Sequence, residues 1–278
     1  MALLHGPAVQ RVRALIPSAA EAGHTAFAHA VLDGWLAGSV FADHAGAPTA
    51  ALVCPDNGFF LAVGRPHAAL AHEAFAVLQA ELVERLTEER LVVATTAGWD
   101  GILRALLPQR TTRKEFHLSS RSVPGPAPVL PPGYRLEAVT ERTACLFGDG
   151  IDPWVVRTLG GPAAFAARSF GTVVLAADGS LAAACVACGV GGGEAEIEIG
   201  TAPWHRRRGL ALMAAHGFMK QARDRGLEPA WTCAADNAPS VATALRLGFV
   251  VSRAVGVFPL DPRLVRRGDS WQLVTELG

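Results

Sequence analysis

The eleven residues Thr201–Ala211, TAPWHRRRGLA, carry the densest chemistry in the chain. They follow a short strand-like run, Glu194–Thr201, and precede an amphipathic helical pattern. Successive backbone N–H groups at a glycine-containing turn into a helix form a concave donor surface for phosphate. Gly209 permits close approach, because a side chain there would collide with the ligand. Arg206, Arg207 and Arg208 add positive charge beside it. Lying between strand and helix, Arg206-x-x-Gly209-x-Ala211 reads as a site for a phosphorylated cofactor rather than a solvated arginine loop.

A second set of groups lies just upstream. Glu194, Glu196 and Glu198 alternate with Ala195, Ile197 and Ile199. A regular strand places these acids on one face and the apolar residues on the other; a bulge would change the phase. A carboxylate so placed takes the proton from an ammonium group directly or through water. The plainer role is a strand carboxylate that faces a solvated groove or binds a substrate's cation. Asp149, Asp152 and Trp154, in FGDGIDPWV, pair acids with an aromatic, which suits an amine. They equally suit a helix cap and a core anchor. Cys185-x-x-Cys188 lies in an apolar strand pattern with no second cysteine pair for zinc, so it reads as buried, inert thiol. His205 sits where it would contact phosphates or water, and His216 reads as structural.

The elements that must position these groups follow from periodicity. In the first part, a hairpin is expected at Ser39–Asp43 and Thr49–Cys54, preceded by helices and followed by a strand at Phe59–Val63. Leu70, Ala74, Leu78, Leu82 and Leu86 recur at helical spacing and predict a scaffold helix over Pro66–Arg90. A strand at Leu91–Thr95, a helix at Trp99–Leu107 and a strand at Arg113–Leu118 complete it. Five prolines in Ser122–Gly133 can continue neither a helix nor a central strand, and read as a stiff linker. Beyond it come strand Tyr134–Ala138, helices between Glu141 and Ser169, and strands at Thr172–Ala177, Leu181–Val190 and Glu194–Thr201. Helix Leu210–Arg225 with Gly226 as its C′ residue, strand Ala230–Ala234, helix Ser240–Leu247 and strands Phe249–Phe258 and Trp271–Leu277 follow. The two halves echo each other as strand, short helix, strand, but the first has only Gly64-Arg65-Pro66 where the second has its arginine loop.

Composition narrows the class. The chain has 278 residues, enough for two domains, and half are hydrophobic. Lys+Arg and Asp+Glu both number 25, without the basic excess of a nucleic-acid binder. No apolar run reaches the roughly 18 residues of a membrane span, and the N-terminus lacks a signal-peptide pattern. An odd count of five cysteines argues against a disulfide framework. A cytoplasmic protein without metal is expected.

Three features in order now resemble the GNAT superfamily of N-acyltransferases. They are the strand followed by Pro203–Ala211, the strand ending at Cys233 followed by Asn237-x-x-Ser240, and Leu247-Gly248-Phe249. The N-terminal extension, Trp231-x-Cys233 and the Asn237/Ser240 pair are similar to the two-part GNAT family that includes the zwittermicin A resistance acetyltransferase. The specific match covers about Thr172–Phe258, while residues 1–120 match in layout only. The resemblance implies an α/β fold: a GNAT-type mixed central sheet flanked by helices, with a degenerate GNAT-like α+β domain at the N-terminus. The expected division is 1–121, a Pro-rich linker at 122–133, and a catalytic domain at 134–278.

The resemblance also implies the ligands. Arg206, Arg207, Arg208, Gly209, Leu210 and Ala211 would hold the pyrophosphate of acetyl-CoA. Ile199, Gly200 and Thr201 would pair their backbone with its pantetheine arm, in a slot opened by splaying from Ala230–Ala234. Asn237 and Ser240 would approach the same arm. Glu196 matches the family's acidic position and is the first choice as base, with Glu198 second. The family's usual tyrosine acid is replaced by Ala244; Ser240 and Cys233 are the nearby alternatives. The expected reaction is acetyl transfer from acetyl-CoA to a primary amine of a small molecule, by direct attack in a ternary complex. An antibiotic, a polyamine or amino-acid derivative, or a thiol-cofactor precursor, as in the tandem GNAT mycothiol synthase, would supply that amine; a protein N-terminus or lysine is a further class. Two rivals stand beside it: a non-catalytic acyl-CoA sensor, which Ala244 favours, and a tRNA-dependent aminoacyl transferase, which the zero net charge disfavours.

Overall fold

Short apolar strands alternating with amphipathic helices build two units in the computed structural model. The first comprises Met1–Arg113 with Ala254–Gly278, the second Lys114–Arg253. The structure describes residues 1–18, 21–85, 90–118, 129–148, 150–261, 264–267 and 270–273. Residues 122–128 of the Pro-rich stretch and Asp149 lie outside the described residues.

The first unit begins with β1 (Ala2–Leu4), a 3-10 stretch over Gly6–Leu15 and α1 (Thr25–Leu32). The strand and the 3-10 geometry replace the helices expected at the very N-terminus: β1 pairs antiparallel with β2 (Gly38–Ala42), and a proline opens the 3-10 stretch. β2 and β3 (Ala50–Pro55) form the expected hairpin. Asp43 holds its turn, accepting bonds from His44 N, Thr49 N and Thr49 Oγ1. β4 (Phe59–Gly64), α2 (Ala68–Arg85) and β5 (Arg90–Ala94) make a parallel crossover, followed by α3 (Ala97–Leu106). Leu70, Ala74, Phe75 and Leu78 of α2 bury the first part of the predicted stripe against Leu52, Phe60 and Trp99, and Leu86 lies outside the described residues.

β6 (Thr111–Leu118) starts in the first unit and ends in the second. The second unit continues with β7 (Tyr134–Ala138), α4 (Glu141–Ala144), α5 (Trp154–Thr158) and α6 (Pro162–Arg168). Next come β8 (Gly171–Ala176), β9 (Leu181–Gly191), β10 (Glu194–Thr201) and α7 (Leu210–Asp224). β11 (Glu228–Ala234), α8 (Ala238–Arg246) and β12 (Phe249–Leu260) complete it, and β12 runs on into the first unit. A small hairpin, β13 (Leu264–Arg267) with β14 (Ser270–Leu273), ends the described chain; it contains Trp271–Leu273 of the expected strand, whose residues 274–277 lie outside the described residues. Both divisions between the units, at 113/114 and 253/254, therefore fall inside uninterrupted strands.

In the second unit the strands run β6-β11-β10-β9-β8-β7, antiparallel from β7 to β10 and parallel between β10 and β11. Leu210, Ala214, Phe218 and Ala222 of α7 pack on Ala183, Cys185, Ala195 and Ile197. Gly217 sets how closely α7 approaches: a Cβ there would lie 2.2 Å from Thr172 Oγ1. Gly226, at φ 68°, ends the helix as expected, with Gly226 N donating to Arg223 O. No helix among the described residues is long and apolar enough to cross a membrane.

The two parallel seams differ. β4 and β5 are paired as far as Ala62 and Ala94, the last residue of β5. Beyond that rung, Thr95 Oγ1 donates to Ala62 O at 2.5 Å and Trp99 Nε1 donates to Gly64 O at 3.1 Å. The seam is thus closed to the end of β4. Trp99→Phe keeps most of the ring bulk but removes the donor to Gly64 O, and is expected to cost about 1–3 kcal/mol. A lowered urea midpoint checks this; wild-type stability would show that the indole bond does not hold the seam.

Candidate functional site

In the second unit the seam does not close. β10 and β11 are paired at Glu194/Glu228, Ala195/Pro229 and Glu196/Ala230, and no further, although β10 runs on to Thr201 and β11 to Ala234. β10 stays paired with β9 along its whole length, so β11 is the strand that departs. A cleft of about 590 Å³ occupies the opening.

Ten of the residues singled out from the sequence meet in this cleft. Ile199, Gly200 and Thr201 line it from the end of β10. Arg206, Arg207, Gly209, Leu210 and Ala211 line it from the turn into α7, and Asn237 and Ser240 from the start of α8. Arg207 and Gly209 both take left-handed backbone, at φ 61° and 75°. Gly209 is the N-cap of α7, and no side chain caps this helix. The first-turn N–H groups therefore have no acceptor within their own helix or from a cap. Arg206 Nε donates to Thr201 O at 3.3 Å, tying the turn back to β10.

Arg208 is not among the lining residues. Its Nη1 instead donates to Tyr134 Oη at 2.9 Å, and the guanidinium lies over the Tyr134 ring. His205 Nδ1 bonds to the same hydroxyl.

Asn237 acts as an N-cap, its Oδ1 accepting from Ser240 N at 3.2 Å. Ser240 Oγ lies 3.1 Å from Trp231 Nε1. An indole nitrogen only donates, so Ser240 Oγ accepts here and keeps its own hydrogen for another partner. Ala244, one helical turn beyond Ser240, is fully buried. Sequence reasoning missed Trp231, Thr243 and Arg246, which also line the cleft. Arg246 and Thr243 continue the face of α8 that Ser240 starts, at helical spacing, and that was the available signal. Trp231 entered the resemblance through Trp231-x-Cys233, but strand alternation alone makes it core and gave no sign that it reaches the cleft.

The carboxylates lie on the other side of β10. Ala195 and Ile197 face the α7 core. Glu194, Glu196 and Glu198 therefore share the opposite face, as does Gly200, whose Cβ position would meet Ile151 Cγ2 at 3.0 Å. The register does shift between Glu196 and Ile197, but the extra residue is Cys188 on β9, so the alternation of β10 survives. Glu196 is 2% exposed, and its Oε1 accepts from Thr232 Oγ1 at 2.6 Å, at the last rung before the strands part. Glu198 is half-buried. Neither carboxylate lines the cleft.

The remaining candidates take structural places. Burial, and then Glu198, push the Cys185 thiol well up; burial, Glu196 and Glu198 do the same to Cys188. Cys233 is buried in the α7 core. Asp152 Oδ1 accepts from Trp154 N at 2.9 Å just before α5, whose N-cap residue is Pro153 and has no side-chain cap bond. His216 is held below its usual range by burial and by Arg223. Among the described residues, no cluster of His, Cys, Asp and Glu is arranged to hold a metal.

Known proteins share this architecture. The family profile described as GNAT acetyltransferase matches residues 18–258. A curated relative, the uncharacterized N-acetyltransferase YdfB of Bacillus subtilis (strain 168), is 24% identical over 226 residues, covering 80% of this chain and 85% of the relative. The crystal structure of a GCN5-related N-acetyltransferase-like protein from Streptococcus suis 89/1591 superposes with a TM-score of 0.68 at 19% identity, covering 90% of this chain and 97% of that one. A tandem GNAT protein from the clavulanic acid biosynthesis pathway gives a TM-score of 0.63 at 16% identity, covering 93% and 97%. The profile match runs through both units, and with the parted strands and the arginine turn it establishes that the chain belongs to the GNAT acetyltransferase family.

Proposed function

We propose that the protein is an acetyl-CoA-dependent N-acetyltransferase acting on a primary amine of a small molecule. The observation that carries this reading is the opening between β10 and β11, with an uncapped helix N-terminus and arginines on one side and carboxylates on the other. Acetyl-CoA fits the donor set. Arg206, Arg207 and Arg246 line the cleft and no carboxylate does, which suits a polyanion. The volume is that of an ordinary ligand pocket. When bound there, acetyl-CoA supplies an activated thioester.

The residues then divide the work. Arg206, Arg207 and the first-turn N–H groups of α7 hold the pyrophosphate. The backbone of Ile199–Thr201, released from β11, offers its free edge to the amide groups of the pantetheine arm. Glu198, the more open carboxylate, draws in the ammonium. Glu196, fixed by Thr232, receives its proton so that the amine can attack. Ser240, oriented by Trp231, donates a hydrogen bond to the departing sulfur in place of the tyrosine that Ala244 replaces. Antibiotics, polyamines and amino-acid derivatives are the acceptor classes to screen, in keeping with the resemblance to the zwittermicin A resistance family. The cytoplasm, where acetyl-CoA is made, is the proposed location.

The buried Ala244 favours one second reading, a non-catalytic acyl-CoA sensor. Calorimetric titration of acetyl-CoA is the first test. Micromolar binding is expected in wild type, with a loss of about 100-fold or more in Arg206→Ala/Arg207→Ala, since two charge-assisted contacts go. No binding by wild type would overturn the cofactor reading. With an amine found by thiol-release screening, Glu196→Gln is expected to lower kcat by about 100-fold or more at unchanged donor binding. Full turnover in Glu196→Gln/Glu198→Gln would overturn the base assignment, and binding without turnover of any amine would favour the sensor. Ser240→Ala is expected to lower kcat by about 10-fold with little change in donor KM, as loss of one hydrogen bond to developing charge does.

A further inference from the structure

Tyr134, the chain's one tyrosine, is the first residue of β7, and its half-buried ring packs on the core beneath α7. Its hydroxyl has two partners, Arg208 Nη1 and His205 Nδ1, each at 2.9 Å. A phenol both donates and accepts, whereas a guanidinium only donates. The hydroxyl therefore accepts from Arg208, and the direction of its bond with His205 Nδ1 follows the imidazole tautomer.

These two partners flank Arg207, which sits at φ 61°. Left-handed backbone is unfavourable for a residue with a Cβ and persists where its surroundings hold it in place. The Tyr134 hydroxyl ties the chain on both sides of that residue. We infer that Tyr134 is a positioning residue for the anion turn: it holds Arg207 and Gly209 in the shape that aims the turn's N–H groups and guanidiniums into the cleft. Arg208 acts through Tyr134 and not by contact with phosphate. This inference rests on the acetyl-CoA reading proposed above, and it gives the turn a strut outside the family's sequence pattern.

A double-mutant cycle tests it, with CoA titrated by calorimetry into wild type, Tyr134→Phe, Arg208→Met and the double variant. Pantetheine, which carries no phosphate, is the second probe, followed by ligand-observed NMR. Each single variant is expected to bind CoA about 10-fold more weakly, within the usual range of coupling between sites. The double variant is expected to lose little more, and pantetheine binding is expected to stay at the wild-type level in all four proteins. Arg208 is exposed, so Arg208→Met carries the test if Tyr134→Phe does not fold. Wild-type CoA affinity in Tyr134→Phe would overturn the inference. Additive losses would also overturn it, by showing that Arg208 meets phosphate directly. An equal loss for pantetheine would overturn it too, since only general damage to the fold weakens both. If wild type itself fails to bind CoA, the acetyl-CoA reading falls and takes this inference with it; if wild type binds and the variants match it, only this inference falls.

Discussion

β10 and β11 stop bonding to each other after Glu196 and Ala230, while both strands continue. A parallel pair normally satisfies both backbone edges, so parting two central strands leaves donors and acceptors that need other partners. The chain sustains the gap from both sides. β10 remains laddered to β9 down to Thr201 and Ala183, which keeps it straight. α8, capped by Asn237, joins β11 through the bond between Trp231 and Ser240. The arginine turn and α7 close the open end of the gap. In the first unit the same kind of seam is sewn to its end by Thr95 and Trp99, with Pro66 packed where a Cβ on Gly98 would stand. The difference between a closed seam and a cleft thus comes down to a few side chains placed just beyond the last backbone rung.

The legible and illegible parts of this arrangement separate by the range of the interactions. The alternation over Glu194–Thr201 reports which face each side chain takes, because a strand's period is local, and it survives here only because the bulge falls on β9. Gly209, read for close approach to a ligand, also takes left-handed backbone, and Gly226, required by its own backbone angle, was readable. Arg208 was not: its neighbours in sequence suggest phosphate, and its actual partner, Tyr134, lies 74 residues away. Trp231 enters the cleft through strand geometry that only the assembled unit defines, whereas Thr243 and Arg246 share the helical spacing of Ser240. The divisions at 113/114 and 253/254 carry no proline or glycine, because a strand that passes from one unit to the next needs no break.

The division of β10 into two faces also bears on mechanism. The α7 face is apolar and ends in the cationic cleft; the other face carries the carboxylates. In the proposed reaction, donor and acceptor therefore approach from different sides of one strand and meet where the seam opens. Glu196 stands at that point, buried, with Thr232 from the departing strand fixing its orientation. A buried carboxylate needs such a donor to be held in place, and Thr232 comes from β11, so the strand that opens the cleft also positions the proposed base.

For the proposed reaction, that geometry favours direct attack over a covalent acyl-enzyme. A nucleophile needs an adjacent base or a lowered pKa, and an approach to the thioester. Cys185 and Cys188 are buried, and their thiols are pushed up by burial and by the neighbouring glutamates, so the proposed base itself disfavours their ionisation. Ser240 reaches the cleft, but its bond to Trp231 is one in which it accepts. A donor on the oxygen lowers its nucleophilicity, the reverse of what a histidine or carboxylate partner would do. What remains suited to the chemistry is a hydroxyl that donates, a carboxylate that takes a proton, and an amine supplied by the substrate. The nucleophile in this scheme is then the acceptor amine, and the proposed contribution of the protein is to deprotonate it where β10 and β11 part.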